Sequence, residues 1–204
     1  MVITIAGMGA ALYVVSMVTA FVVEGELKQF LWSRKMDKWI NKLTGHYILC
    51  GVGRTGVHIL KELVATGRKY VVVDVDEKIV ASVRAQVGEE FPVVLGDAAE
   101  DDILVQAGIE RAAGLVTTLN DDRDNLHVTI TARRLNPLLR IVSKGISPNI
   151  NAKLVQVGAN SVVSPNLIGG LRMVSELVRP DTVSFLDVML RDRDQNMRFE
   201  DLEI

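Results

Sequence analysis

The residues whose types and spacing suit chemistry are Gly51-Val52-Gly53-Arg54-Thr55-Gly56 and a carboxylate 23 positions after the first of them, Asp74. Glycines at the first, third and sixth places of such a loop suit a phosphate ligand. The first allows a tight turn, the second lets backbone approach a pyrophosphate, and the third lets a helix start close against a strand. The helix N-terminus then offers unsatisfied N–H groups to the anion. A carboxylate about 20 residues further on accepts hydrogen bonds from ribose hydroxyls. Its charge repels a 2′-phosphate, which favours NAD or NADH over NADP. The spacing alone is a weak signal; a strand before the loop and a helix after it make it a strong one.

The elements required to hold such a loop are present. Strand-like segments fall at His46–Cys50, Tyr70–Asp74, Pro92–Leu95, Leu115–Leu119, Arg140–Ser143 and Ser161–Val163. Helix-like segments at Thr55–Thr66, Glu77–Gln86, Glu100–Ala107, Asp121–Leu135 and Asn149–Val157 separate them. This alternation predicts an α/β, Rossmann-like fold, a doubly wound parallel sheet with helices on both faces. The expected domain spans 46–164. Asp97 and Ala98 follow the third strand, and Thr117, Thr118 and Asn120 follow the fourth, on the rim where these sheets bind ligands. Asp97 either reaches the adenosine end of a nucleotide or caps the helix near Glu100. Asp76 faces solvent or caps its own helix, and Asp121 and Asp122 suit a helix dipole as well as a site.

Composition bounds the function. With 23 Lys+Arg against 25 Asp+Glu, the chain lacks the strongly basic footprint of a nucleic-acid binder, and none is expected as partner. One cysteine, Cys50, excludes a disulfide framework. Residues Met1–Val23 contain no charged side chain, and as a helix they span roughly 34 Å at ~1.5 Å per residue, enough for a bilayer core. This predicts a transmembrane helix ahead of the domain, and a lone span beginning at Met1 suggests a fragment. Lys28, Arg34, Lys35, Lys38 and Lys42 follow directly, which places the downstream domain on the cytoplasmic side. The segment 24–45 is amphipathic, with Leu27, Phe30, Leu31, Met36, Trp39, Ile40 and Leu43 near helical spacing. It is either a force-transmitting connector, with Trp32 and Trp39 at the membrane interface, or a surface helix covering the next domain's core.

Taken in order, GVGRTG, VVVDVDE, GDAAEDDIL, TTLNDDRDN and VGANSVVSP resemble the regulator of potassium conductance (RCK) domain, the TrkA N-terminal type of Rossmann module, over roughly 46–204. The resemblance implies a nucleotide-sensing domain at the inner cell membrane that gates a potassium channel. Met1–Val23 would be the pore-lining inner helix with Gly7 as its gating hinge, and 24–45 the linker. By the same resemblance 165–204 would hold the dimer-crossover helices, broken at Pro180, and the start of a second lobe. The partner implied is the chain itself, as dimers of domains in a ring beneath a tetrameric pore that conducts potassium ions but lies outside this chain. The nucleotide-binding set becomes Gly51, Val52, Gly53, Arg54, Thr55, Gly56, Asp74, Val75, Asp97, Ala98, Thr118 and Asn120, with NAD or NADH as ligand, or ADP or ATP in its place. Calcium ligation, used by some channels of the family, is not expected, because Lys144 and Ile146 stand where two acids would be needed. No metal site is expected.

Two other classes compete. One is the regulatory NAD-binding subunit of a potassium uptake or efflux transporter. The other is a membrane-tethered NAD-dependent oxidoreductase, which needs a placed acid or base. Only His46, His58 and His127 are available, none at triad or metal spacing, and Cys50 reads as core; no enzyme activity is expected.

Overall fold

The computed structural model describes Tyr13 and residues 26–184, with side chains given for Tyr13 and from Trp32 onward. Apart from Tyr13, the expected membrane helix with its hinge Gly7 lies outside the described residues, as do 185–204 of the expected second lobe. No helix among those described is long and apolar enough to cross a membrane. Residues 1–163 and 164–204 are two units.

In the first unit, helix α1 (Glu26–Ile40) leads into strand β1 (Tyr47–Cys50), followed by α2 (Gly56–Ala65) and β2 (Tyr70–Asp74). Then come α3 (Glu77–Val87), β3 (Val93–Leu95), α4 (Asp101–Gln106), a 3-10 turn (Ile109–Arg111) and β4 (Gly114–Thr117). The unit ends with α5 (Asp122–Leu135), β5 (Arg140–Lys144), α6 (Ile150–Gln156) and β6 (Ser161–Val163). The six strands form one parallel sheet in the order β3-β2-β1-β4-β5-β6. This is the doubly wound arrangement expected, and the strand order reverses direction between β1 and β4. Such a reversal opens a crevice at the carboxyl ends of the strands.

The strands read as near-continuous apolar runs because both faces are covered. Ile48, Leu49, Val71, Val72, Val73, Leu115 and Ile141 are fully buried, and Leu60, Leu104, Val128 and Leu154 pack onto them from the helices. Asp76 begins α3 by accepting from the N–H groups of Lys78 (2.8 Å) and Ile79 (3.3 Å), so it is a helix cap. The fourth strand starts and ends earlier than the apolar pattern suggests, because Thr118 and Leu119 turn out of the sheet to serve the site.

Helix α1 covers the core of the domain. Met36 and Ile40 are buried, and Trp32, Trp39 and Leu43 pack against the same cluster. Arg84 of α3 lies over the Trp32 ring at 4.9 Å and over Phe91 at 5.2 Å, a pair of cation–π contacts that ties helix to sheet. Both tryptophans therefore contribute to this packing, where the sequence pattern suggested a membrane interface. Arg111 closes the seam. Its guanidinium donates to the carbonyls of Leu43 (3.0 Å) and Ile40 (3.2 Å) and to Asn41 (3.2 Å), satisfying carbonyls at the helix C-terminus. Gln106 adds a bond to Asp37 (2.8 Å).

At the same seam His46 is buried, with its Nε2–H donating to the Ala107 carbonyl at 2.9 Å and its Nδ1 without a partner. Burial depresses its pKa, the Ala107 bond opposes this, and the Arg111 charge lowers it further. The folded chain thus holds a neutral imidazole, whereas the unfolded chain takes up a proton as pH falls through ~6.5. Stability therefore declines below that pH. Wild type is expected to lose more melting temperature between about pH 7.5 and pH 5 than His46→Gln does, by calorimetry; equal slopes refute the assignment.

In the second unit, α7 (Pro165–Val178) starts with proline in its first turn and ends at Arg179, ahead of Pro180, a residue that disfavours helix before itself. Leu167, Ile168, Leu171, Val174, Leu177 and Val178 form an exposed apolar stripe at helical spacing.

Candidate functional site

The carboxyl ends of six parallel strands share one edge, so the loops that leave them meet there. The glycine loop leaves β1. Gly51 turns at φ +88°, a left-handed conformation that favours glycine. At Gly56 a Cβ would lie 2.0 Å from the Gly51 carbonyl oxygen, so only glycine lets α2 start this close to β1. Gly53 differs from both. A Cβ there meets nothing within 4 Å, so the loop opens onto free space at the helix start. Thr55 occupies the cap position of α2 without a side-chain hydrogen bond. The N–H groups of Val57 and His58 already donate to the carbonyls of Gly53 (3.0 Å) and Thr55 (3.2 Å), so an anion here would be met by the loop backbone ahead of them.

Asp74 is buried, and it organises the loop. One carboxylate oxygen accepts from the Val52 N–H at 2.8 Å and the other from the Asp76 N–H at 2.9 Å. A carboxylate has about four lone-pair positions, so two remain for ribose hydroxyls. Val75, beside it, is exposed. From β4, the Thr118 hydroxyl donates to the Gly51 carbonyl at 2.7 Å, bringing a third strand to the same turn. Thr118 is thus a positioning residue for the loop.

Asp97 and Ala98 follow Gly96 in the turn after β3. Asp97 is exposed and accepts from the Ala99 N–H (2.9 Å) within its own turn, while the Ala98 side chain is in the core. The tie to the site is through backbone, from the Gly96 N–H to the Asp74 carbonyl at 3.0 Å. Asn120 is exposed at the far rim. Asp121 caps α5 through the Arg123 N–H (2.7 Å).

Two residues matter more than their sequence context signalled. Asn125 is fully buried one turn into α5, and its amide brackets the loop after β4. Its oxygen accepts from the Thr117 hydroxyl (2.5 Å) and the Leu119 N–H (3.0 Å), and its NH₂ donates to the Leu119 (3.1 Å) and Asp121 (2.9 Å) carbonyls. Its place in TTLNDDRDN was the available signal. Lys144, at the end of β5, donates to the carbonyls of Thr118 (3.2 Å) and Leu119 (2.9 Å). Its pKa is lowered by burial and then by the Arg54 charge, with Asp122 acting in the opposite direction. Arg54 and Lys144 therefore repel one another across the strand-order reversal, and a phosphate between them would relieve that repulsion.

Asp122 joins the neighbouring loop. It accepts from the N–H groups of Ile146 (2.8 Å) and Ser147 (3.0 Å) and from the Ser147 hydroxyl. Burial alone would raise its pKa, but these bonds and the Lys144 charge hold it below the usual carboxylate range.

The residues suggested for other chemistries are dispersed. His58 and His127 are exposed on helices, His46 lies at the α1 seam, and Cys50 is buried in β1. Burial, then the Asp74 charge, pushes the Cys50 thiol far above its ordinary pKa. Among the described residues no cluster of three His, Cys, Asp or Glu side chains is placed to hold a metal.

Gly56→Ala places a methyl against backbone, so it is expected to cost about 1–3 kcal/mol of stability, read as a lower urea midpoint. Gly53→Ala, with open space around it, is expected to leave that midpoint within about 0.5 kcal/mol of wild type.

Known proteins share this arrangement. The chain is 34% identical over 199 residues to Potassium channel protein 1 of Methanocaldococcus jannaschii, covering 98% of this chain and 58% of the relative. It spans little more than half the length of such relatives. Among solved structures, the TrkA-N domain of inner membrane protein ybaL from Escherichia coli superposes with a TM-score of 0.61 at 28% identity, over 68% of this chain and 99% of that one. The GsuK RCK domain gives a TM-score of 0.57 at 30% identity, over 69% of this chain and 29% of that one. The TrkA-N domain family matches residues 47–165, from the first residue of β1 to the first residue of α7. With that match over more than half its length and the glycine loop, strand order and rim residues inside it, the chain belongs to the TrkA-N (RCK) domain family.

Proposed function

We propose that this chain is the nucleotide-sensing regulatory part of a potassium channel, which couples a nucleotide at the glycine loop to a pore. The observation that carries the reading is the glycine loop between β1 and α2, open at Gly53, with the Arg54 charge close enough to Lys144 at the end of β5 to act on it. In this reading Gly51, Val52, Gly53, Arg54, Thr55 and Gly56 hold the phosphates and Asp74 the ribose, with NAD or NADH as ligand ahead of ADP or ATP. Asp97, Thr118 and Asn120 shape the rim around it. Bound there, the nucleotide supplies negative charge between two cations; the chain's part is to bind it and respond, with no catalytic step.

The response has a short route. Strand β1 has the α1 seam at one end, at His46, and the glycine loop at the other, at Gly51. Movement of the loop is therefore transmitted along five residues to the helix whose sequence leads back to the charge-free Met1–Val23. We assign that segment as the pore's inner helix with Gly7 its hinge, the domain on the cytoplasmic face of the cell membrane, and potassium ions to a pore encoded outside these 204 residues. The apolar stripe of α7 suits pairing with a second copy, and such pairs suit a ring beneath a tetrameric pore. Switching a pore from 1:99 to 99:1 takes about 5.5 kcal/mol of differential binding, which several subunits can share.

Calorimetric titration of the full chain with NADH and with ADP tests the site. Saturable heat with at least one of them is expected, and Gly53→Val, which fills the open space, is expected to weaken it about tenfold or more, or about 1.4 kcal/mol. No heat from either nucleotide, or equal affinity in the variant, rejects the reading.

A further inference from the structure

The chain carries a second concentration of positive charge, ahead of the glycine loop in sequence and separated from it by β1. Arg34, Lys35, Lys38, Trp39 and Lys42 line one open groove on α1 and the turn that follows it. Lys35, Lys38 and Lys42 recur at helical spacing, so they share the face opposite Met36 and Ile40, and all three are exposed. Among the described residues none of these lysines forms an ion pair. The nearby acid, Asp37, is engaged by Gln106 of α4. The patch is also not a reflection of composition, since the chain as a whole has a formal charge of -2.

We propose that this groove binds the phosphate headgroups of anionic membrane lipids. The lysines supply the charge, and Trp39, half-buried against the domain core, forms part of the groove wall. Clusters of four or more basic residues beside a membrane segment are suited to anionic lipid. Here α1 begins three positions after the charge-free Met1–Val23. The inference rests on the membrane placement proposed above, and it adds a second ligand at the opposite end of β1 from the nucleotide. A lipid held on α1 fixes that helix against the bilayer, so the domain has an anchored end against which loop movement acts.

The test uses the full chain in detergent micelles and its intrinsic tryptophan emission, titrated with dioctanoyl-phosphatidylglycerol and with dioctanoyl-phosphatidylcholine. A saturable change with the glycerol lipid alone is expected, weakening as salt rises from about 50 to about 500 mM. The triple variant Lys35→Gln/Lys38→Gln/Lys42→Gln should need at least tenfold more lipid while keeping the wild-type melting temperature, since these side chains are exposed. Equal responses to both lipids, or an unchanged response in the triple variant, overturn the proposal. The same saturable change with inorganic phosphate at equal concentration also overturns it, by assigning the groove to free anions. Carbonate extraction of the chain from cell membranes reports the membrane placement separately. A chain that resists extraction but ignores phosphatidylglycerol loses the groove and keeps the placement; one that is extracted yet still responds loses the placement and keeps the groove.

Discussion

The site depends on one close approach, between the first residue of α2 and the carbonyl of Gly51. At 2.0 Å from that oxygen there is no room for a side chain at position 56, so α2 starts close against the end of β1. The same carbonyl accepts the Thr118 hydroxyl, and the next N–H in the chain is held by Asp74. Three neighbouring strands, β2, β1 and β4, thus have their carboxyl ends locked to a single turn. The turn is held by these bonds, and at Gly53 it opens onto free space. Electrostatics follows from this packing, since Arg54 and Lys144 oppose each other because the loop and β5 are fixed in place.

The opposite end of the sheet is equally tied. Arg111 reaches across to the last carbonyls of α1, and Arg84 stacks between Trp32 and Phe91. Helix α1 consequently covers the domain's core, the second of the two readings offered for it. A helix that covers the core is also one that moves with it. A force carried by an unpacked linker would be lost to its conformational freedom, whereas a packed helix transmits displacement without paying that entropy.

Much of this was legible in the sequence. The order of the six strands' segments, the glycine loop and the carboxylate closing β2 each rest on short-range pattern, and the fold realises them. Asp76 resolved to a helix cap for the same local reason. What was hidden depends on contacts between distant residues. Asn125 looks like one polar residue among several in an acidic stretch, and only the fold shows its amide making four bonds that shape the loop after β4. Lys144 stood out only as a misfit for calcium, because its opposition to Arg54 needs the sheet's register to become visible. Trp32 and Trp39 suggested an interface by type, but apolar spacing cannot tell burial against protein from burial against lipid. Thr118 was placed correctly at the rim, while its hydroxyl's role, holding Gly51 and not reaching outward, is a matter of geometry alone.

Cys50, the chain's only cysteine, sits in the central strand one residue before the glycine loop, with no exposed surface and a thiol held in its protonated form. Reactivity with electrophiles and oxidants belongs to the thiolate, the form that burial and the Asp74 charge disfavour here. An alkylating reagent can reach this sulfur only after β1 has separated from its neighbours. The rate of labelling at this one atom therefore counts openings of the strand that joins α1 to the glycine loop, and the protein carries its own clock for that event.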